Sequence, residues 1–134
     1  MFTNDTLADK KILITGGGSG LGLAMAKMFA SLGAKVAICG RSEEKLQKAT
    51  TEIGHAAIYE VCDVRDYEAV GAMVGRLEER MGGLNGLVNN AAGNFLSASE
   101  DLSPNAFNTV VDIVLKGTFN CTQHFGKLNI AAKR

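Results

Sequence analysis

Apolar positions along the chain alternate between short continuous runs and spacings of three and four. Lys10 to Thr15 (KKILIT) is an apolar run closed by glycines, which predicts a buried strand. Leu21, Met25, Met28, Phe29 and Leu32 then repeat at the spacing of one helix face, and Gly33 follows as a stop signal. Val36 to Cys39 predicts a second strand. Ser42 can cap a second helix carrying Leu46, Ala49 and Ile53 up to Gly54. Ala56 to Cys62 is β-rich. A third helix over about Tyr67 to Met81 places Val70, Met73, Val74, Leu77 and Met81 on one side. Leu84 to Asn90 predicts a fourth strand. Ser103-Pro104 then opens a fourth helix bearing Phe107, Val110, Val111, Val114, Thr118 and Phe125 on its apolar face.

Strands alternating with helices of this length indicate βαβ units, hence a parallel sheet covered on both faces. The expected fold class is α/β, a Rossmann-like doubly wound parallel sheet. Such a sheet is built from two βαβαβ halves. Residues 1–134 supply the first half, then one strand and one helix of the second. The expectation is therefore a single nucleotide-binding domain, truncated after the fourth strand and fourth helix and incomplete at its C-terminus.

Composition sharpens this picture at one place. Glycine accounts for 16 of 134 residues, about 12% against a typical ~7%, and five of these glycines crowd between Gly16 and Gly22. Fourteen Lys and Arg balance fourteen Asp and Glu, and Lys133-Arg134 is the densest basic cluster, so nucleic acid is not an expected partner. The longest uncharged stretch, Met81 to Ser99, holds four Asn and four Gly, which is no membrane span. The N-terminus lacks the basic and apolar regions of a secretory signal. Cys39, Cys62 and Cys121 have no Cys-x-x-Cys spacing, which argues for reduced thiols in a cytoplasmic protein and against a metal site.

The glycine cluster lies between the first strand and the first helix, where backbone must turn tightly and approach an anion at a helix N-terminus. Gly16, Gly20 and Gly22 fit the spacing G-x-x-x-G-x-G. The G-x-G-x-x-G spacing is matched in no register, and a P-loop fails because Leu23 stands where Lys is needed. A glycine turn without a ligand and a methyltransferase-like nucleotide site are the competing readings of spacing alone. The second strand ends Cys39-Gly40-Arg41-Ser42, with no carboxylate before Glu43. An arginine there accommodates a 2′-phosphate, whereas an acidic residue would hold a free ribose, so NADP(H) is expected rather than NAD.

Three motifs in order resemble the short-chain dehydrogenase/reductase family over nearly the whole chain. They are Thr15 to Gly22 (TGGGSGLG), Asp63-Val64 after the third strand, and Asn89 to Gly93 (NNAAG) after the fourth. The resemblance implies that Gly16, Gly18, Ser19, Gly20, Leu21, Gly22, Arg41, Asp63, Val64, Asn90, Ala91 and Gly93 bind the cofactor. Asp63 would contact the adenine amine, and Asn89 would help fix the central strands.

Asn89 to Phe95 (NNAAGNF), Asp101 to Ala106 and Asp112 to Leu115 are similar to the 2,4-dienoyl-CoA reductase subgroup. Val114 stands where most of the family carries a catalytic Asn, a departure the subgroup shares. The resemblance implies Asn94 as the catalytic residue, Arg65, Phe95 and Ser103 as substrate contacts, and an acyl-CoA partner. It further implies hydride transfer from NADPH to a 2,4-dienoyl thioester in unsaturated fatty acid oxidation. Asn94 would donate to the thioester oxygen where negative charge develops. Family members commonly form homo-oligomers.

The family's Tyr-x-x-x-Lys pair is absent: Tyr59 is followed four residues on by Asp63, and Tyr67 by Gly71. Neither His55 nor His124 has an identifiable acid/base partner. An inactive fragment of a longer reductase is therefore expected. The alternatives are another short-chain reductase acting on 2-enoyl-CoA or carbonyl compounds, or a nucleotide-binding module that does not catalyse.

Overall fold

The computed structural model describes residues 1–134. Four strands are present: β1 (Lys11–Thr15), β2 (Lys35–Gly40), β3 (Ile58–Val61) and β4 (Gly86–Val88). They form one sheet in the order β3-β2-β1-β4 with every pairing parallel. The helices are α1 (Gly20–Ser31), α2 (Glu43–Ile53), α3 (Tyr67–Met81), α4 (Pro104–Val111) and α5 (Gly117–Ala131). No helix is long and apolar enough to cross a membrane.

The strand alternation sends successive side chains to opposite faces. Ile12, Ile14, Val36 and Ile38 pack with Ala26, Ala30, Leu46 and Ala49 beneath α1 and α2. Leu13, Ala37 and Cys39 pack with Val70, Met73, Leu77 and Cys121 beneath α3 and α5. The sheet is thus covered on both faces, as the sequence predicts.

β4 is shorter than the predicted Leu84 to Asn90, and asparagine side chains add bonds to β1 and its flanks at both ends. Asn85 accepts a hydrogen bond from the Lys11 N–H (2.8 Å) and donates to the Asp9 carbonyl (3.0 Å). Asn90 does comparable work at the other end, described below. β3 is likewise confined to Ile58–Val61.

The fourth helix departs further from expectation. Its first part, α4, is joined to α5 through one wide π-type turn at Asp112–Lys116, and the extra residue there rotates the apolar face. Phe107, Val114 and Thr118, expected on the buried face, are exposed. Gly117, Asn120, Cys121 and Asn129 are buried instead. Val110, Val111 and Phe125 are half-buried, Phe125 against the core, so the regular period holds for these and fails at Phe107, Val114 and Thr118. Asn120 donates to the Val64 carbonyl (2.8 Å) and Asn129 to the Leu84 carbonyl (3.1 Å), which satisfies both polar side chains within the core.

Between β1 and β4 the chain changes direction across the sheet, the place where open α/β sheets form a crevice. One buried hydroxyl holds its floor. Thr15 Oγ1 accepts from the N–H groups of Asn90 (3.0 Å) and Ala91 (2.9 Å) and donates to the Val88 carbonyl (3.4 Å). The Asn90 amide donates back to the carbonyls of Thr15 (3.1 Å) and Gly16 (3.2 Å).

Replacing Thr15 with Val removes the acceptor for two backbone N–H groups, and urea unfolding is expected to show a loss of about 1–3 kcal/mol. Thr15→Ser keeps the oxygen and is expected to lose about 1 kcal/mol. Equal stability of Thr15→Val and wild type would refute the role of the hydroxyl. A second pair of variants checks how α5 docks. A Cβ at Gly117 would lie 2.6 Å from Val64 Cγ2, whereas one at Gly126 would meet nothing within 4 Å. Gly117→Ala is therefore expected to destabilise by about 1–3 kcal/mol, and Gly126→Ala to stabilise by up to about 1 kcal/mol, in the same unfolding assay.

Candidate functional site

The crevice at the carboxyl ends of the strands divides into two lobes of about 300 Å³ and 280 Å³ that share Gly16, Ser19, Cys39, Gly40, Arg41 and Ala92. Cys62, Asp63, Val64, Asn90, Ala91 and Ile113 complete the first lobe. Gly18, Ser42, Lys45 and Leu46 complete the second.

The glycines of the loop separate into different tasks. Gly16 turns the chain at φ +66°, and a Cβ there would come within 3.0 Å of the Ala91 backbone. Gly22 is a packing glycine, since its Cβ would lie 2.4 Å from the Gly16 carbonyl oxygen. Gly20, at φ +56°, opens α1 with no atom within 4 Å of its would-be Cβ. Ser19 precedes α1 but its hydroxyl does not cap the helix. The first turn of α1 therefore has no side-chain cap, and the positive end of the helix dipole lies at this loop, open at Gly20. Leu21 is 78% exposed and lines neither lobe.

Charge is placed unevenly around the crevice. Arg65 pairs with Asp63, Arg76 and Arg80 both pair with Glu60, and Arg134 pairs with Glu78. Arg41 is the arginine without a carboxylate partner, and it lines both lobes. Asp63 accepts Arg65 Nη2 at 2.6 Å and Nε at 3.0 and 3.1 Å, with the Arg65 N–H at 3.0 Å. These hydrogen bonds, with the positive charges of Arg65 and Arg41, hold the Asp63 carboxyl below its ordinary range. A carboxyl depressed in the folded chain adds stability above its unfolded pKa and forfeits it as pH falls through the folded value. Asp63 is thus ionised in the crevice at neutral pH.

Val64 is buried against Gly117 and Asn120, so the loop carrying Asp63 and Arg65 is anchored between them. Burial pushes the thiols of Cys62 and Cys121 up to about 11 and about 12, and raises Cys39 further. All three cysteines are free and act as small apolar packing groups.

Asn89, implied by resemblance to fix the central strands, is bonded elsewhere. Its amide donates to Thr122 Oγ1 (3.0 Å) in α5, and the strand-fixing bonds belong to Thr15 and Asn90. Gly93 sits where a Cβ would meet Ile113 Cδ1 at 2.8 Å. Asn94 and Phe95 are exposed on the segment after β4 and line no cleft with the crevice residues. Ser103 caps α4, accepting from the Ala106 N–H (3.0 Å). Arg65 also borders a separate apolar cleft of about 590 Å³ with Tyr67, Leu115, Lys116, Phe119 and Asn120.

Cys39, Gly40, Cys62, Ala92, Ile113 and Lys45 line the crevice without having been singled out from the sequence. The first three end β2 or follow β3, so the rule that ligands bind at strand carboxyl ends could have found them. Ile113 carries no such signal, because its position depends on the π turn.

The family model described as short chain dehydrogenase matches residues 10–133. A probable 2,4-dienoyl-CoA reductase of Bacillus subtilis is 44% identical over 118 residues, 85% of this chain and 46% of that protein. A peroxisomal 2,4-dienoyl-CoA reductase of Arabidopsis thaliana is 45% identical over 122 residues, 89% of this chain and 41% of that protein. The crystal structure of a short chain dehydrogenase from Bacillus anthracis superposes with a TM-score of 0.89 at 44% identity, covering 93% of this chain and 53% of that one. The chain spans less than half the length of these curated relatives. With its parallel sheet, glycine loop and switch-point crevice, the chain belongs to the short-chain dehydrogenase family.

Proposed function

We propose that the chain is the NADP(H)-binding portion of a reductase acting on acyl-CoA thioesters, with 2,4-dienoyl-CoA as the substrate class. The observation that carries this reading is the meeting, at one crevice, of an uncapped helix N-terminus and an arginine with no carboxylate partner. The open space at Gly20 and the first-turn N–H groups of α1 suit a pyrophosphate. Gly16, Gly18, Ser19, Leu21 and Gly22 would shape that loop. Arg41, with Ser42 beside it, suits a 2′-phosphate through its planar fork. Asp63 and Val64 would take the adenine, and Asn90, Ala91 and Gly93 the ribose and nicotinamide side. When bound, NADPH would supply a hydride.

The names of the dienoyl-CoA reductase relatives support the substrate class. In this reading the exposed Asn94 amide donates to the thioester oxygen and stabilises charge gathering there. Phe95 and Ser103 contact the acyl-CoA, together with Arg65 Nη1, which is free of the Asp63 pair. The three buried free thiols favour a reducing compartment, the cytoplasm. No Tyr-x-x-x-Lys pair is present among these residues, so the chain by itself binds cofactor without turning over substrate.

Titration of the purified chain is expected to show tighter binding of NADPH than of NADH. Arg41→Met is expected to weaken NADPH about tenfold or more while changing NADH less than about threefold. Equal or tighter binding of NADH by wild type would overturn the NADP reading. Turnover of a dienoyl-CoA by the 134-residue chain would overturn its lack of catalysis.

A further inference from the structure

The Asp63–Arg65 pair is built more firmly than its partial exposure requires. Both Asp63 oxygens are engaged by the Nε/Nη2 edge of one guanidinium, and Oδ1 also receives the Arg65 backbone N–H. A bidentate fork fixes the plane of a carboxylate as well as its position. The pair stands on a rigid base. Val64, between the two residues, is buried against Gly117, and its carbonyl accepts from Asn120. On the far side Asp66 caps α3 by accepting from the Ala69 N–H (3.1 Å). Neither partner can drift through backbone motion without breaking one of these contacts.

The arrangement also leaves acceptor capacity facing the crevice. An ionised carboxylate offers about four lone-pair sites. Oδ1 uses two, on the Arg65 N–H and Nε. Oδ2 takes Nη2 at 2.6 Å and only a shared contact with Nε at 3.1 Å. A lone pair on Oδ2 therefore stays available to a donor from outside, in a direction set by Arg65. Asp63 lines the nucleotide crevice, whereas Arg65 borders the neighbouring apolar cleft.

We infer that Arg65 is a positioning residue for the nucleotide site: its fork on Asp63 aims the carboxylate so that it selects a base carrying an exocyclic amino donor. This rests on the reading that the nucleotide base lies against Asp63, and adds to it the group that sets the carboxylate's direction. Without the fork only the Arg65 N–H still holds Oδ1; Oδ2 and the plane of the carboxylate are no longer fixed, so an amino donor gains less from it. Arg65 acts through Asp63 and need not touch the nucleotide.

The test compares, on the full chain, the dissociation constants of NADPH and of its hypoxanthine analogue, in which a carbonyl replaces the exocyclic amine. Wild type is expected to favour NADPH by about tenfold. Arg65→Met, and Arg65→Lys, which keeps the charge but cannot fork, are each expected to cut that preference below about threefold. Asp63→Asn is expected to do the same. The ratio is taken within each variant, so a reduced folded fraction cancels from it and a merely structural role would leave it unmoved. Retention of the tenfold preference in both Arg65 variants, with its loss in Asp63→Asn, would overturn the inference while leaving the placement of the base intact. No preference in wild type would overturn the placement of the base against Asp63, and the inference with it.

Discussion

The candidate site depends on one buried hydroxyl. Thr15 Oγ1 has one proton to give and two lone pairs to fill, and the structure uses all three, on Val88, Asn90 and Ala91. β1 and β4 are paired over only three residues, so the ladder alone holds their carboxyl ends weakly. The hydroxyl and the Asn90 amide extend the junction beyond the last ladder bond. The segment after β4 is thereby held against the glycine turn. Gly16 and Gly22 let that turn come close enough for the bonds to form, and the mouth at Gly20 is left open. A polar atom at this depth costs stability if unpaired, and fully paired it fixes a single geometry.

A second constraint governs the opposite wall. Val64 fits against Gly117 because that helix position has no side chain, and Asn120, three residues on, closes the junction with a bond to the Val64 carbonyl. The π turn at Asp112–Lys116 brings Gly117 and Asn120 to this spot. The β3–α3 loop and the α5 helix thus position each other, and Asp63 inherits a fixed location in the crevice. Charge then differentiates the walls: the ionised Asp63 is paired with Arg65, whereas Arg41 lines the cavity without a carboxylate partner.

Much of this was legible in the residues. Alternating strands and helices, the stop at Gly33 and the caps at Ser42 and Ser103 each depend on local chemistry, and each is found where that chemistry places it. The glycine loop was equally readable, because few side chains tolerate a turn that tight. What could not be read depended on nonlocal contacts. Part of the fourth helix's apolar face, Val114 and Thr118, is misread because a single π turn breaks its period between Val111 and Gly117. Asn85 and Asn90 act as strand surrogates, and nothing in an isolated asparagine distinguishes that use from a loop residue. The Asp63–Arg65 fork was hidden for another reason: the two residues read most naturally as contacts for two separate ligands.

The central claim is that a nicotinamide dinucleotide sits in the crevice between β1 and β4, and backbone amide NMR during titration with NADPH tests it most directly. Saturable shifts should appear at Gly16, Gly20, Arg41, Asp63 and Ala91, the residues of the crevice and the mouth of its loop. Lys35 and His55, which border a different cavity, should remain unmoved. Absence of saturable shifts, or shifts centred on Lys35 and His55 instead, would contradict the account.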